Sequence, residues 1–221
     1  MNQELVDKVD RYIIELFAKN DAVLDDAVRL TAASGIEDMA VSPSQGKMLQ
    51  LFAKMVNAVH ILEIGTLAGY STIWLARALP DHGKLISLEA DAHHAEVAKV
   101  NVKRAGLDKL VEIRNGTAMV ELEKLVNEKL PPFDMIFIDA DKPPYAAYLD
   151  YAIRLSRKGT VIVADNVVRN GAVLDASSKD EKVAGVQKVN LAAAADSRIT
   201  ATIIQQVGIK EYDGMLVAVV N

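Results

Sequence analysis

From Val59 onward, short runs that are apolar at nearly every position alternate with segments of helical period, and this alternation constrains the chain more than any other feature. The runs cover residues 60–64, 84–88, 110–113, 133–138 and 160–164, and helical segments 72–79, 92–105, 118–129 and 145–155 separate them. Met135-Ile136-Phe137-Ile138 and Val161-Ile162-Val163-Ala164 carry no polar position, as in strands covered on both faces. Repeated strand–helix alternation predicts a parallel sheet between two helical layers. A helix near residues 179–194 precedes two further strand candidates, 199–205 and 214–220. Only the 208–213 turn joins them, too short for a crossover helix, so they form an antiparallel hairpin. The expected fold is a doubly wound α/β, mostly parallel sheet of seven strands with a C-terminal antiparallel hairpin.

Residues 1–58 read as helix. Leu5, Val9, Tyr12, Ile13, Leu16 and Phe17 recur at helical spacing, a second helix covers 21–33 and stops near Gly35, and a third starts at Ser42 or Ser44. Met48, Leu49, Leu51 and Phe52 form its expected buried side. A length of 221 residues suits one domain, with 1–58 as a helical extension and 59–221 as the α/β core.

In such sheets ligands bind beyond the carboxyl ends of the strands. Those ends carry Glu63 with Gly65, Glu89, Gly116-Thr117-Ala118, Asp139 and Asp165-Asn166. The first leads into Gly65-Thr66-Leu67-Ala68-Gly69-Tyr70-Ser71, where glycines permit a tight turn and a helix start offers free N–H groups. Leu67 stands where a dinucleotide fingerprint needs its second glycine, and no Gly-Lys-Ser/Thr follows to make a phosphate loop. Glu63 would repel a pyrophosphate but suits a ligand bearing an ammonium and a sulfonium. Glu89, 20 residues after Gly69, can accept both hydroxyls of a ribose.

These segments resemble class I S-adenosylmethionine-dependent methyltransferases, and within them the cation-dependent catechol and caffeoyl-CoA O-methyltransferase family. The resemblance runs from about Ala40 to the C-terminus. It is strongest in Leu62-Glu63-Ile64-Gly65-Thr66, in Phe133-Asp134-Met135-Ile136-Phe137-Ile138-Asp139-Ala140-Asp141-Lys142, and from Gly159 through Asp165-Asn166-Val167. It implies that Val41 meets the methionine part through its backbone and that Glu63, Gly65, Thr66 and Ser71 hold the amino-acid end. It further implies Glu89 on the ribose, Ala118 at the adenine, and Asp139 facing both cofactor and metal. The mammalian catechol enzymes have serine where this chain has Ala118, so the resemblance implies one hydrogen bond fewer near the adenine.

Adjacent parallel strands lie about 5 Å apart, so Asp139, Asp165 and Asn166 converge on one point. Two carboxylates so placed repel one another, and a hard divalent cation resolves the conflict: Mg²⁺ first, with Mn²⁺ or Ca²⁺ as alternatives. The chain has no cysteine and no histidine beside these residues, which argues against zinc. A phenol with a pKa of about 10 is a weak nucleophile at neutral pH, and a dication favours its phenolate. A second hydroxyl on the next carbon completes a chelate, so the expected acceptor is a vicinal aromatic diol of the catechol, caffeoyl or flavonoid type. Lys142 stands where the family has its general base, and Asp141 reads as a supporting residue. Tyr148 and Arg169, the latter in Arg169-Asn170-Gly171, are candidates for the substrate mouth. Tyr70 and Trp74 read as packing residues before cofactor neighbours, Met39 and Met48 as helix packing before donor-pocket lining, and His60, His82, His93 and His94 as surface residues.

A net charge of -5 and scattered basic residues argue against a nucleic-acid substrate. No apolar run approaches the roughly 20 residues that span a bilayer, and the N-terminus has no apolar signal core, so a cytoplasmic protein is expected. The family resemblance implies a homodimer, with residues 1–58 supplying either its interface or a cap over the pocket. Two rivals stand beside the main reading: O-methylation of a hydroxyuridine in tRNA, and a non-catalytic nucleotide-binding module. Intact Glu63, Glu89, Asp139, Lys142, Asp165 and Asn166 weigh against the second.

Overall fold

The structure is a computed structural model that describes residues 2–221 without the side chain of Glu211; Met1, the start of the expected single domain, lies outside the described residues. Seven strands form one sheet: β1 (His60–Ile64), β2 (Lys84–Glu89), β3 (Val111–Asn115), β4 (Phe133–Ile138), β5 (Ser156–Ala164), β6 (Ile199–Gly208) and β7 (Glu211–Val220). Their spatial order is β3-β2-β1-β4-β5-β7-β6. The first five run parallel, while β7 is antiparallel to both β5 and β6. The doubly wound sheet with its closing hairpin is therefore the architecture that the hydrophobic patterning predicts. The order reverses between β1 and β4, which opens the crevice where ligands of such sheets bind.

Helices α1 (Gln3–Ile13), α2 (Ala22–Ala33) and α3 (Pro43–Met55) precede the sheet, and a π-helical turn, Ile14–Ala18, extends α1. Helices α4 (Tyr70–Ala76), α5 (Ala92–Arg104), α6 (Ala118–Asn127), α7 (Tyr145–Arg154) and α8 (Glu181–Ala195) follow. Two apolar clusters fill the space on the two sides of the sheet. One joins Ile64, Ile136, Ile138 and Ile162 to Tyr145 and Leu149 of α7 and Val186 of α8. The other joins Ile61, Leu85, Met135 and Phe137 to Leu49 of α3 and to Ile73 and Trp74 of α4.

Ser42 starts α3, with Ser42 and Gln45 capping each other reciprocally and Pro43 at the first helical position. Leu51, expected on the buried side, is 51% exposed. Its neighbours Leu49 and Ala53 face the core instead, because the apolar stripe is narrower than Met48-Leu49-Leu51-Phe52 suggests. The C-terminal hairpin is tighter than the sequence pattern implied. Pairing continues to Gly208 opposite Glu211, leaving Ile209-Lys210 as the turn. The polar or glycine residues at 206, 208, 211 and 213 interrupt the apolar pattern over these last rungs. Asp10 of α1 stabilises the turn by accepting the Ile209 N–H at 2.9 Å, and a Cβ at Gly208 would meet that carboxylate at 2.6 Å. Among the described residues no helix is long and apolar enough to cross a membrane.

Candidate active site

A cavity of about 1310 Å³ opens at the carboxyl ends of β1, β2 and β4, and one part of its wall is the loop between β1 and α4. That loop turns on Gly65 (φ 97°) and Gly69 (φ 87°), both left-handed. A Cβ at Gly65 would lie 1.9 Å from the Asp139 carbonyl oxygen, so only glycine lets the loop cross the end of β4. Leu67 is also left-handed at φ 50°, a strained state for a residue with a Cβ. Glu89 offsets the strain: its Oε2 accepts the Leu67 N–H at 2.8 Å and the Thr66 N–H at 3.2 Å, while Oε1 accepts the Asp91 N–H at 2.9 Å.

Of the expected cofactor residues, Val41, Gly65, Thr66, Ser71, Glu89, Ala118 and Asp139 line this cavity. Glu63 does not. It is fully buried behind the loop, accepting hydroxyl hydrogens from Ser71 at 2.6 Å, Ser87 at 2.6 Å and Thr72 at 2.5 Å. It reaches the cavity only through Ser71. Burial pushes its pKa up to about 7 against the pull of these hydroxyls, and the charge of Asp139 adds to the rise.

Asp139, Asp165 and Asn166 together line a second cavity of about 460 Å³. It shares Asp38, Met39, Ala40, Val41, Asp139 and Asn166 with the first and extends to Ser44, Gln45, Gln206 and Asp213. Asp165 is buried, and burial, then the neighbouring Asp139 charge, raises its pKa. Its Oδ1 accepts the N–H of Asn166, whose backbone is left-handed at φ 57°. Among the described residues no three His, Cys, Asp or Glu side chains are grouped to hold an ion; the set here is two carboxylates and one amide oxygen. Oxygen donors of this kind, two neighbouring carboxylates of which Asp165 is buried, fit a hard divalent ion.

Lys142 is only 7% exposed, and its Nζ lies 3.0 Å from Asp139 Oδ1. It pairs with Asp139, while Asp141 accepts the Tyr148 hydroxyl at 2.6 Å. Tyr148 and Arg169 line the large cavity, as do Tyr70 and His94. His94, expected at the surface, lies on the cavity wall with its Nδ1 3.9 Å from Glu89. Met39 is not helix packing: it sits in the segment before α3, 59% exposed, on the wall of both cavities. Met48 lines the second cavity, and Trp74 is buried in the core.

Two residues that sequence reasoning missed complete the site. Asp213 of β7 uses Oδ1 to accept the N–H groups of Val168, Arg169 and Gly214, each at 2.9 Å. This pins a segment in which Asn166, Arg169 and Asn170 are all left-handed. Tyr145, fully buried at the start of α7, places its hydroxyl 2.5 Å from Lys142 Nζ. Burial, then the charges of Asp139 and Asp165, holds that phenol well above its ordinary pKa. Asp213 falls at the end of the expected 208–213 turn and Tyr145 at the start of an expected helix, so neither carries a signal of its own.

A protein-family model described as O-methyltransferase matches residues 14–219. A catechol O-methyltransferase of Niastella koreensis is 53% identical over 221 residues, covering 100% of both chains. A catechol O-methyltransferase of Mycobacterium tuberculosis is 42% identical, covering 96% of this chain and 95% of its own. The crystal structure of the O-methyltransferase from Bacillus cereus in complex with SAH superposes with a TM-score of 0.96 at 47% identity, covering 99% of each chain. An O-methyltransferase of Streptomyces achromogenes involved in tomaymycin synthesis, in complex with SAM, gives a TM-score of 0.96 at 44% identity, covering 100% of this chain and 99% of its own.

Proposed function

The chain belongs to the O-methyltransferase family, and on that premise we propose that it transfers the methyl group of S-adenosylmethionine to one hydroxyl of a vicinal aromatic diol, with a divalent cation at Asp139, Asp165 and Asn166. It is an S-adenosylmethionine-dependent O-methyltransferase; the diol is the acceptor named by relatives at 53% and 42% identity. The observation that carries the reading is the Lys142 amine, withdrawn from water on the wall of the large cavity and set 3.0 Å from Asp139, which lines both cavities.

The large cavity takes the donor. Gly65, Thr66 and Ser71 hold its amino-acid end, with Glu63 behind Ser71 fixing that hydroxyl. Val41 meets the methionine part, Glu89 accepts the ribose hydroxyls, and Ala118 lies against the adenine. The acceptor enters where the second cavity joins the first, beside Met39, with Tyr148 and Arg169 at the mouth. Magnesium, or manganese or calcium, bound by Asp139, Asp165 and Asn166 would acidify a hydroxyl beside it. Lys142 takes the hydroxyl proton at Nζ, and the acceptor oxygen attacks the methyl carbon in line as the sulfur leaves. Most of the acceleration then comes from holding the oxygen, carbon and sulfur in line.

Labelled S-adenosylmethionine incubated with catechol, caffeoyl-CoA, a flavonoid diol and a tRNA fraction tests the reading. Methylated diols are expected with Mg²⁺, lost with EDTA and restored by added metal. Undiminished turnover after chelation removes the cation, and methylated tRNA without methylated diol selects the hydroxyuridine reading. Lys142→Ala should lower turnover by roughly 10²–10⁴-fold with little change in donor affinity. We also propose that the protein is a homodimer. Helix α1 and the π-helical turn leave Leu5, Val9, Tyr12, Leu16 and Phe17 exposed, an apolar face suited to a second copy. Sedimentation as a monomer at micromolar concentration would refute this.

A further inference from the structure

Neither the sequence motifs nor the family assignment accounts for the hydroxyl of Tyr145. It receives a hydrogen from Lys142 Nζ at 2.5 Å and lies 3.3 Å from the Asp165 carbonyl oxygen and 3.4 Å from that of Ile138. Both carbonyls can only accept, so the phenol hydrogen points at them and the phenol oxygen is left to accept from Lys142. The Lys142 nitrogen also stands 4.5 Å from the centroid of the Tyr145 ring. Its carboxylate partner is Asp139 at 3.0 Å. Two of its three directions are thus committed to fixed groups, and one remains. The backbone of Lys142 is held as firmly: a Cβ at Gly185 of α8 would lie 2.2 Å from the Lys142 carbonyl oxygen. Tyr145 is itself anchored at the carboxyl ends of both strands that carry the acidic site residues, since Ile138 ends β4 and Asp165 follows β5.

We propose that Tyr145 is a positioning residue for methyl transfer: its hydroxyl fixes the Lys142 amine against Asp139, so that the remaining direction of the nitrogen faces the acceptor hydroxyl. This rests on the assignment of Lys142 as the base. A lysine has four rotatable side-chain bonds, and an amine left to explore them would spend little time at the acceptor. The loss is felt in the transfer step and not in binding.

Tyr145→Phe keeps the ring and removes the hydroxyl. The expected result is a fall in kcat of about 10-fold or more, with KM for S-adenosylmethionine and the calorimetric Kd for S-adenosylhomocysteine within about two-fold of wild type. The same substitution made in Lys142→Ala should change kcat by less than about two-fold, because the group it positions is gone. Acylation of Lys142, followed by mass spectrometry of its peptide, should be faster in Tyr145→Phe than in wild type, a reading independent of turnover. Wild-type kcat in Tyr145→Phe overturns the proposal, as does an undiminished fall in the Lys142→Ala background or an unchanged acylation rate. A Lys142→Ala enzyme as fast as wild type refutes the base assignment itself, and that outcome is distinct from the other three.

Discussion

Replacing Glu63 with glutamine should change the pH dependence of stability in a direction set by the structure. Burial lifts the carboxyl from an ordinary value of 4.5 to about 7. The folded protein therefore holds the Glu63 proton over a window in which the unfolded chain has released it. Below the unfolded value its favourable contribution is complete; it is lost as pH rises through about 7 and does not change further above that. At about 1.36 kcal/mol per pKa unit, the loss across the window is about 3 kcal/mol. Glutamine does not titrate, and its amide can both accept from and donate to the hydroxyls of Ser71, Thr72 and Ser87. The stability of Glu63→Gln relative to wild type should thus rise by about 3 kcal/mol from acid to mildly basic pH, or about 6–12 °C in Tm for a chain of this size. Urea unfolding of both proteins, followed by circular dichroism from about pH 5 to about pH 8, measures it. Subtracting wild type cancels Asp165, whose raised pKa acts in the same direction. A difference that stays constant with pH, or shrinks as pH rises, would refute the argument.

Gly65→Ala should cost about 2–5 kcal/mol, from a left-handed residue gaining a Cβ and from its overlap with the Asp139 carbonyl, and should abolish S-adenosylhomocysteine binding. Thermal unfolding and calorimetry check both parts, and a wild-type melting point would contradict them. Asp134 lies at the opposite end of β4, buried, accepting the Val59 and His60 N–H groups and the Arg157 guanidinium. Asp134→Ala should therefore lose about 2–4 kcal/mol of stability while kcat at 25 °C stays at the wild-type value. Asp213→Ala frees three N–H groups and loosens the 166–170 segment. It should raise KM for the acceptor without altering affinity for S-adenosylhomocysteine; an equal loss of both would mean that Asp213 acts through global stability.

Much of the candidate site could be read from the chain because its parts are local. A strand end, a glycine turn and the carboxylate between them lie within a few residues, so Glu63-Ile64-Gly65 and Ile138-Asp139 can be recognised without knowing what they pack against. Glu89 and Lys142 stand where spacing from such ends put them. The partners of these groups could not be read in the same way. The motif points Glu63 at the ligand, and in the fold it is sealed behind the loop by Ser87, its register partner across the β1–β2 ladder, and by two hydroxyls of α4. His94 and Met39 reach the cavities from segments that carry no chemical signature, and Asp213 acts across the β5–β7 pairing from a position that resembled a turn.

What the sequence determined by itself was the layering of the fold and the kinds of group at its strand ends. Apolar periodicity is a short-range property, and burying it leaves few alternatives. Which carboxylate would be buried, which lysine would lose its water and which tyrosine would hold it were settled only by the tertiary structure. Burial is made between residues far apart in the chain, through the sheet register and the packing of α7 and α8 on it, and it also decides which near neighbours meet, as Lys142 and Tyr145 do. No short window of sequence contains Glu63 together with the Ser87 that seals it, or Tyr145 together with the Asp165 carbonyl that anchors it.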